Sequence, residues 1–374
     1  SIISRPNIVL IVMESFGREY IGSFNKDKAI DNYISYTPFL DSLSQHSKIF
    51  PNSFANGRQS IEALPSILAS LPSFRIPFTS SPYANQEIQS LVSVFNSLDY
   101  STSFFHGAPN GSMGFLGLSN ILGFDNYFGK NEFNNNSLYD GYWGIWDEPF
   151  LQFMKTKIDK FEEPFFTTFF SLTSHEPFKV PLEYKDVFPV GNVQMHEVIG
   201  YSDNALREFF NSSKNQPWFK NTLFVITADH SNQFWYPFYS EGINRFAIPI
   251  IFYHPDNSFV GVNNKLAQQL DIFPSIIDLI GYDKPINAWG RSLFTENLDK
   301  PFSIHFSGTV YRFSMNQFTL VFDGDNVIGV YNIDDYALNK NLINDDQIDY
   351  SFEEQYLKAF FQDYMERVID GKLN

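Results

Sequence analysis

The most continuous hydrophobic block in the chain comes near its start. Asn7-Ile8-Val9-Leu10-Ile11-Val12-Met13 is apolar and β-branched with no polar alternation, the signature of a strand buried on both faces inside a parallel sheet. Runs of the same kind recur at Ser101–Phe105, Pro164–Leu172, Thr222–Thr227 and Ala247–Tyr253. Between them lie stretches with helical spacing: Thr37–Gln45, Ile61–Ala69, Glu87–Leu98, Trp146–Ile158, His196–Asn211 and Ala267–Ile280. Strands alternating with helices predict an α/β layered fold around a largely parallel sheet.

Beyond residue 300 the pattern shortens. Phe302–Phe306, Thr309–Ser314, Phe318–Phe322 and Val327–Asn332 read as brief strands, with an Asp323-Gly324-Asp325-Asn326 turn between the last two. This predicts a small antiparallel meander, closed by a helix over Phe352–Val368. The expected division is a catalytic core over 1–297 and a C-terminal antiparallel subdomain with its terminal helix over 298–374. Asn131–Tyr139, with three successive asparagines, reads as a surface loop. There is no internal repeat.

Composition narrows the function classes. With 374 residues, 43% of them apolar and 42 of them Phe, the chain can bury a large core. It has no Cys, which excludes a disulfide, a thiolate metal site and a Cys nucleophile. A net charge of -16 lacks the basic footprint that binds a nucleic-acid backbone, so no nucleic-acid partner is expected. No segment reaches the ~18–20 apolar residues of a membrane span. The chain opens at Ser1 with no signal peptide and is expected to be a piece of something longer.

Four stretches place ligand-type or reactive side chains at the end of a buried strand or the start of a helix, the edge of an α/β sheet where sites form. Glu14 directly follows the first strand, where a carboxylate is costly unless it faces water, caps a helix, or is paired or metal-bound. Asp229-His230 follows the strand 222–227 and offers oxygen and imidazole ligands suited to Zn, Mn or Mg. Ser60, in Gly57-Arg58-Gln59-Ser60, sits where a loop enters a helix. That place suits an ordinary N-cap, and it also suits an alkoxide nucleophile stabilised by the helix dipole. His106 and His175 each follow an apolar strand, as structural histidines or as donors to a phosphoryl or sulfuryl oxygen or a leaving group. His46, His196, His254 and His305 are read as structural or surface residues.

Taken in order, these motifs resemble the alkaline-phosphatase/sulfatase superfamily, in particular its lipoteichoic acid synthase and phosphoglycerol transferase branch. The opening Asn7–Phe16 run ends in Glu14-Ser15 as that branch does. Gly57-Arg58-Gln59-Ser60 is similar to its Gly-x-x-Thr nucleophile turn, with Ser in place of Thr, and the spacing to Pro65 is similar to the phosphoethanolamine transferases. His106-Gly107 leads to Gly123-Phe124-Asp125, and Ser174-His175-Glu176-Pro177-Phe178 resembles the family's Asn-His-x-Pro-Phe motif. Asp229-His230 matches the paired metal ligands. Leu270–Ile276 and Gly290–Leu293 are similar to motifs of the wider superfamily.

The resemblance implies a mixed sheet sandwiched between helices with a small C-terminal sheet. It implies one divalent ion (Mn, Mg or Zn) held by Glu14, Ser60, Asp229 and His230, with Ser60 the nucleophile and His106 and His175 lining the substrate pocket. Two departures shape the expected substrate. Formylglycine sulfatases require Pro at +2 and Arg at +4 from the modified residue; here those positions are Glu62 and Leu64, so an unmodified Ser and phosphoryl chemistry are expected. Where the synthases carry a Trp and an Arg that grip phosphoglycerol, this chain has Met113 and Phe115. Arg58, Asn110 and Arg245 are the candidate replacements. The expected substrate is a phospholipid head group or a glycan phosphoester, transferred to an acceptor; a sulfate- or phosphate-ester hydrolase and a catalytically silent sensor are the alternatives. The expected setting is extracytoplasmic, on a membrane protein whose N-terminal segment is missing here.

Overall fold

A computed structural model describes residues 2–295 and 300–374. Its centre is an eight-stranded sheet. In chain order the strands of the whole molecule are β1 (Asn7–Met13), β2 (Ser47–Ile49), β3 (Ser53–Phe54), β4 (Ser101–His106), β5 (Asn126–Phe128), β6 (Phe165–Phe170), β7 (Thr222–Ala228), β8 (Ile250–Tyr253), β9 (Gly261–Val262), β10 (Ala267–Gln268), β11 (Phe302–Ser307), β12 (Val310–Met315), β13 (Phe318–Phe322) and β14 (Val327–Asn332). The large sheet runs β5-β4-β6-β1-β7-β8-β2-β9, and every pairing in it is parallel except the two made by β8. The mixed, largely parallel sheet is therefore as expected.

The apolar run of β1 now has its cause. All seven residues are buried, because β6 and β7 flank the strand and helices cover both faces. The helices Pro38–Ser44, Asp147–Ile158 and Met195–Ser213 pack together as one group; Ser60–Ala69, Leu91–Ser97 and Ile272–Leu279 form the other. β6 and β7 are likewise buried along their whole length.

Several elements are shorter than the pattern suggested. The run 247–253 is extended only from Ile250, since Pro249 has no N–H for a ladder and Gly242–Phe246 forms a 3-10 turn. The helix expected from Glu87 begins at Leu91, where Ser90 Oγ caps Ser93 N at 3.2 Å. Within Ala267–Ile280, the first two residues pair with β3 as β10, and the helix covers only Ile272–Leu279. In the expected loop 131–139, Lys130–Phe133 makes one helical turn.

The C-terminal strands form the expected antiparallel meander β11-β12-β13-β14. Asp323 Oδ1 accepts from the N–H groups of Asp325 and Asn326, both at 2.8 Å, and Gly324 takes φ +110° in the turn. Phe302, Ile304, Tyr311, Phe313, Met315, Leu320 and Phe322 make one apolar face, packed on Leu357 and Phe360 of the terminal helix Ser351–Ile369. Tyr364 and Val368 of that same helix join the main core. The expected division at 297/298 falls on residues 296–299, outside the described residues.

Candidate active site

The strand order brings four of the sequence candidates to one point. Glu14 leaves β1 and Asp229 leaves the neighbouring β7, both at the C-terminal edge of the sheet. Ser60 opens the helix Ser60–Ala69, with Gln59 in the cap position. Its hydroxyl is thus free of capping duty. Ser60 Oγ donates to Asp229 Oδ2 at 2.6 Å and lies 3.1 Å from Glu14 Oε2 and 3.4 Å from His230 Nε2. His230 Nε2 is in turn 3.1 Å from Asp229 Oδ2 and 3.6 Å from Glu14 Oε1.

Each side chain is locked by a partner that cannot move easily. Ser15, in the left-handed region at φ +57°, aims its N–H at Asp229 Oδ1 (2.8 Å) and its hydroxyl at Glu14 Oε1 (2.8 Å). Ser171 Oγ accepts from Glu14 N at 2.7 Å, and Ser174 Oγ donates to the Glu14 carbonyl. Gln269 Nε2 donates to the carbonyls of Ala228 and Asp229 at 2.8 and 2.7 Å. Glu62 Oε2 accepts from Arg58 N and Gln59 N at 2.9 and 3.1 Å and fixes the loop before the nucleophile. Neither Ser171 nor Gln269 stands out in the sequence; only their hydrogen bonds identify them.

The electrostatics favour a cation. Burial, then the charge on Asp229, push the Glu14 carboxyl up to about 8. For Asp229 burial works the other way from its neighbours, and the charge of His230 wins, holding the carboxyl below its ordinary value. Burial also opposes the charged form of His230, but Asp229 outweighs it and holds the imidazole up at about 10. Glu14, Asp229 and His230 place one ligand atom each within 4.8 Å of one another. Two buried carboxylates, a hydroxyl and an imidazole around one point are a donor set for a divalent metal, and such an ion relieves the repulsion between the carboxylates. The His230 Nδ1 faces the Ser231 carbonyl at 2.9 Å; a carbonyl only accepts, so the neutral ring carries its proton there and leaves the Nε2 lone pair for the cluster.

His106 and His175 lie to the other side of Glu14. A cavity beside the cluster is lined by Glu14, His106, Met113, Trp143, Ser171 and His175, among others. His106 Nδ1 faces the Phe170 carbonyl at 3.0 Å, and burial pushes the ring down to about 4. With Nδ1 donating to that carbonyl, the neutral ring leaves Nε2 as an acceptor, and the expected donor role requires the protonated ring. His175 packs against Trp143 with its ring tilted by 53°, at 4.2 Å between ring centroids.

The structure separates the three expected substrate-binding residues. Asn110 Nδ2 is committed to both Glu132 oxygens at 3.0 Å, and Asn110 is not among the residues lining the cavity. The same Glu132 accepts from Gly129 N at 2.7 Å, so the Asn110 Nδ2 is engaged at that turn. Arg58 is exposed two residues ahead of Ser60. Arg245 lies next to the site, its carbonyl receiving the Ser231 hydroxyl. Of the four histidines set aside as structural or surface residues, His305 supports the site from behind. It is fully buried, and its Nδ1 donates to the Ala55 carbonyl at 2.7 Å, beside the nucleophile loop.

Comparison with known proteins bears on the family and the fold. The chain is 25% identical over 325 residues to lipoteichoic acid synthase 1 of Bacillus subtilis, a match covering 78% of this chain and 48% of that protein. It is 26% identical over 322 residues to a lipoteichoic acid synthase of Staphylococcus aureus, again 78% of this chain and 48% of the relative. The chain thus spans about half the length of these relatives. Among solved structures, a Vibrio parahaemolyticus protein of the alkaline phosphatase superfamily superposes with a TM-score of 0.86 at 20% identity, covering 100% of this chain and 90% of that one. A lipoteichoic acid synthase from Listeria monocytogenes superposes with a TM-score of 0.78 at 18% identity, covering 98% and 93%. The family model named Sulfatase matches residues 6–282, the span that carries Glu14, Ser60, Asp229 and His230, and the chain belongs to the sulfatase family.

Proposed function

We propose that this chain is the catalytic domain of a metal-dependent phosphotransferase or phosphodiesterase that acts on phospholipid head groups or cell-envelope glycan phosphoesters, with Ser60 as nucleophile. The carrying observation is the position of Ser60 Oγ: 2.6 Å from Asp229 Oδ2, within 3.4 Å of Glu14 and His230, and at a helix N-terminus. Glu14, Ser60, Asp229 and His230 would hold the divalent ion, with Mn, Mg or Zn all compatible with the donor set. When bound, the ion supplies a lowered hydroxyl pKa at Ser60 and neutralises charge on the transferred group.

The protein's own groups do the rest. Ser60 Oγ attacks phosphorus in line, forming the Oγ–P bond as the bond to the leaving oxygen breaks. Its proton passes to Asp229 Oδ2, the oxygen it already points at, as the Oγ–P bond forms, and the leaving oxygen departs as an alkoxide that takes a proton from solvent. The helix N-terminus at Ser60 favours the anionic oxygens of the bound group. In the second half-reaction an acceptor hydroxyl or water displaces Ser60, and His106 Nε2, aimed into the cavity as an acceptor, orients that hydroxyl and receives its proton. Trp143 and Met113 give the cavity an apolar wall, suited to the carbon skeleton of a glycerol or sugar.

Ser60 is followed by Glu62 and Leu64 where a formylglycine signal needs Pro and Arg, which supports an unmodified serine and phosphoryl over sulfuryl transfer. We also place the domain outside the cytoplasm on a membrane-anchored protein. The support is the match to about half the length of the synthases; among the described residues no helix is long and apolar enough to cross a membrane.

Turnover of p-nitrophenyl phosphate, bis-p-nitrophenyl phosphate and p-nitrophenyl sulfate, with and without Mn, tests this reading. Phosphoester turnover is expected, lowered at least about a thousandfold by Ser60→Ala while calorimetry still detects metal binding. An active Ser60→Ala enzyme overturns the nucleophile; preference for the sulfate overturns the reaction class.

A further inference from the structure

The loop 139–146 is stitched to both histidine-bearing segments of the cavity. It is a tight turn in its own right. Asp140 Oδ1 accepts from the N–H groups of Tyr142, Trp143 and Gly144 at 2.8, 2.8 and 3.1 Å, and Asp140 N donates to the Gly144 carbonyl at 2.8 Å. On one side the loop lies directly against the backbone after His106. Ile145 N donates to the Gly107 carbonyl at 3.0 Å. Gly144 comes so near that a Cβ there would stand 2.3 Å from that carbonyl oxygen and 2.8 Å from Ala108 Cα. On the other side the loop meets the segment after β6. Trp143 Nε1 donates to the Glu176 carbonyl, the Trp143 ring lies 4.2 Å from that of His175, and the Tyr142 hydroxyl receives Lys179 Nζ at 2.7 Å.

Core packing does not explain Trp143. Its side chain is 40% exposed, and among the described residues it joins none of the apolar cores. A tryptophan left that far in water contributes only part of its burial. What it touches is specific. The Glu176 carbonyl that takes its indole N–H also takes His175 Nδ1, at 3.1 Å. A carbonyl only accepts, so Nδ1 carries a proton and Nε2 is the ring nitrogen left for a ligand. Among the described residues the His175 ring has no further hydrogen bond and no second ring contact. Without Trp143 it could turn among its rotamers. His106 needs no such help, being buried against Phe115 and Phe170.

We infer that Trp143 is a positioning residue: it fixes the His175 imidazole beside the cavity, and its loop sets the spacing of His175 from His106. Its effect on the substrate goes through His175, because its own N–H is committed to Glu176. The inference rests on the reading of this cavity as the place of the substrate's hydroxylated carbon group. It adds that the two histidines act on that group as a pair, held in register by one loop that neither belongs to.

The test is a double-mutant cycle on the full, Mn-loaded chain with Trp143→Ala, His175→Ala and both together, read in two ways. The first readout is kcat/KM for a p-nitrophenyl phosphodiester of glycerol. Each single variant should lose at least about tenfold, and the double variant should fall no more than about threefold below the worse single. Independent losses would multiply to about a hundredfold or more, which overturns the positioning role. Trp143→Phe keeps a ring beside His175 and should recover at least about threefold over Trp143→Ala; no recovery overturns the role as well. The second readout is the calorimetric Kd for glycerol phosphate, which does not require Ser60 to react, and the same pattern is expected. A wild type that turns over no ester yet shows the non-additive pattern in binding sinks the nucleophile and leaves the role of Trp143 standing. A wild type that binds no glycerol phosphate, or a Trp143→Ala protein that binds it as tightly as wild type, overturns that role.

Discussion

Glu14 places a testable conflict between function and stability. Two buried carboxylates face one point, and Glu14 is the one pushed up, from 4.5 to about 8. Its folded pKa lies above its unfolded value. Its contribution to stability is therefore complete below about pH 4.5 and is lost as pH rises through about 8. At pH 7 the shift corresponds to a penalty of about 3 kcal/mol relative to an unperturbed glutamate. Glu14→Gln removes the charge but retains an oxygen for the Ser15 hydroxyl and gains an N–H for Asp229. In EDTA at pH 7 the variant should be more stable than the wild type by up to about 3 kcal/mol. For a chain of this length that is roughly 4 °C in Tm. The advantage should shrink towards zero as pH falls below 4.5, where the wild-type carboxyl becomes protonated in both states. Saturating Mn should reverse the order, since a ligand at a thousand times its Kd adds ~4.1 kcal/mol to the protein that binds it. Scanning calorimetry in EDTA and in Mn, at pH 5 and pH 7, measures all four quantities. A Glu14→Gln protein no more stable than wild type in EDTA at pH 7, or an advantage equal at both pH values, refutes the account of the site as two carboxylates held together against their repulsion.

Three further outcomes follow from named contacts. Asn56 joins the nucleophile loop to the C-terminal sheet: its Nδ2 donates to Gln268 Oε1 and to the Ile304 carbonyl, both at 2.8 Å, and its Oδ1 accepts from Leu270 N at 3.1 Å. Asn56→Ala leaves buried partners unmet and should cost about 2–4 kcal/mol in urea unfolding, with turnover falling as the loop loosens. Asp147, buried and pushed up to about 7 by that burial, accepts from Leu172 N at 2.8 Å and Thr173 N at 3.0 Å. Asp147→Ala should disorder the 171–175 segment and raise KM more than it lowers metal affinity, read by steady-state kinetics beside metal titration. Gly290 admits no side chain, because a Cβ there would stand 2.1 Å from the Leu270 carbonyl oxygen; Gly290→Ala should lower Tm by several degrees in a thermal melt.

Whether a feature was legible in the sequence depended on how local its cause is. β1 and β7 were legible because a strand buried on both faces needs an unbroken apolar run. β2, β3, β5, β9 and β10 were not: two or three residues have no measurable period. The grouping of Glu14, Ser60, Asp229 and His230 could be read because each member follows a buried strand or opens a helix, and because the family motifs fix their order. The role of His106 could not, since its tautomer depends on a carbonyl of the next strand, Phe170. Asn110 was misplaced for a similar reason: Glu132, which takes up its amide, stands 22 residues away. The contact of His305 with Ala55 was not legible although its strand was expected, because nothing local says which face of a meander meets the loop before Ser60.

That face can be recovered from alternation once the docking is known. In β11 and β12 the apolar set Phe302, Ile304, Tyr311 and Phe313 turns to the terminal helix, so Ser303, His305, Arg312 and Ser314 must turn the other way. Ser303, His305 and Ser314 are buried although polar, which a meander serving only as a cap on the core would not need. Their burial is explained by what they face: Ala55 receives His305, Phe306 N bonds the Asn56 carbonyl at 3.3 Å, and Gln268 bridges Ile304 and Asn56. The small sheet is thus built into the wall of the nucleophile loop. The cluster around Ser60 lies at the end of the parallel strands, whereas the sheet that braces its loop comes from residues beyond the last family motif at Gly290–Leu293. In such an arrangement substitutions in β11 and β12 can alter which substrate is taken while Ser60 and its carboxylates stay as they are. The polar half of an alternating strand is therefore the part of this sequence in which specificity should be sought.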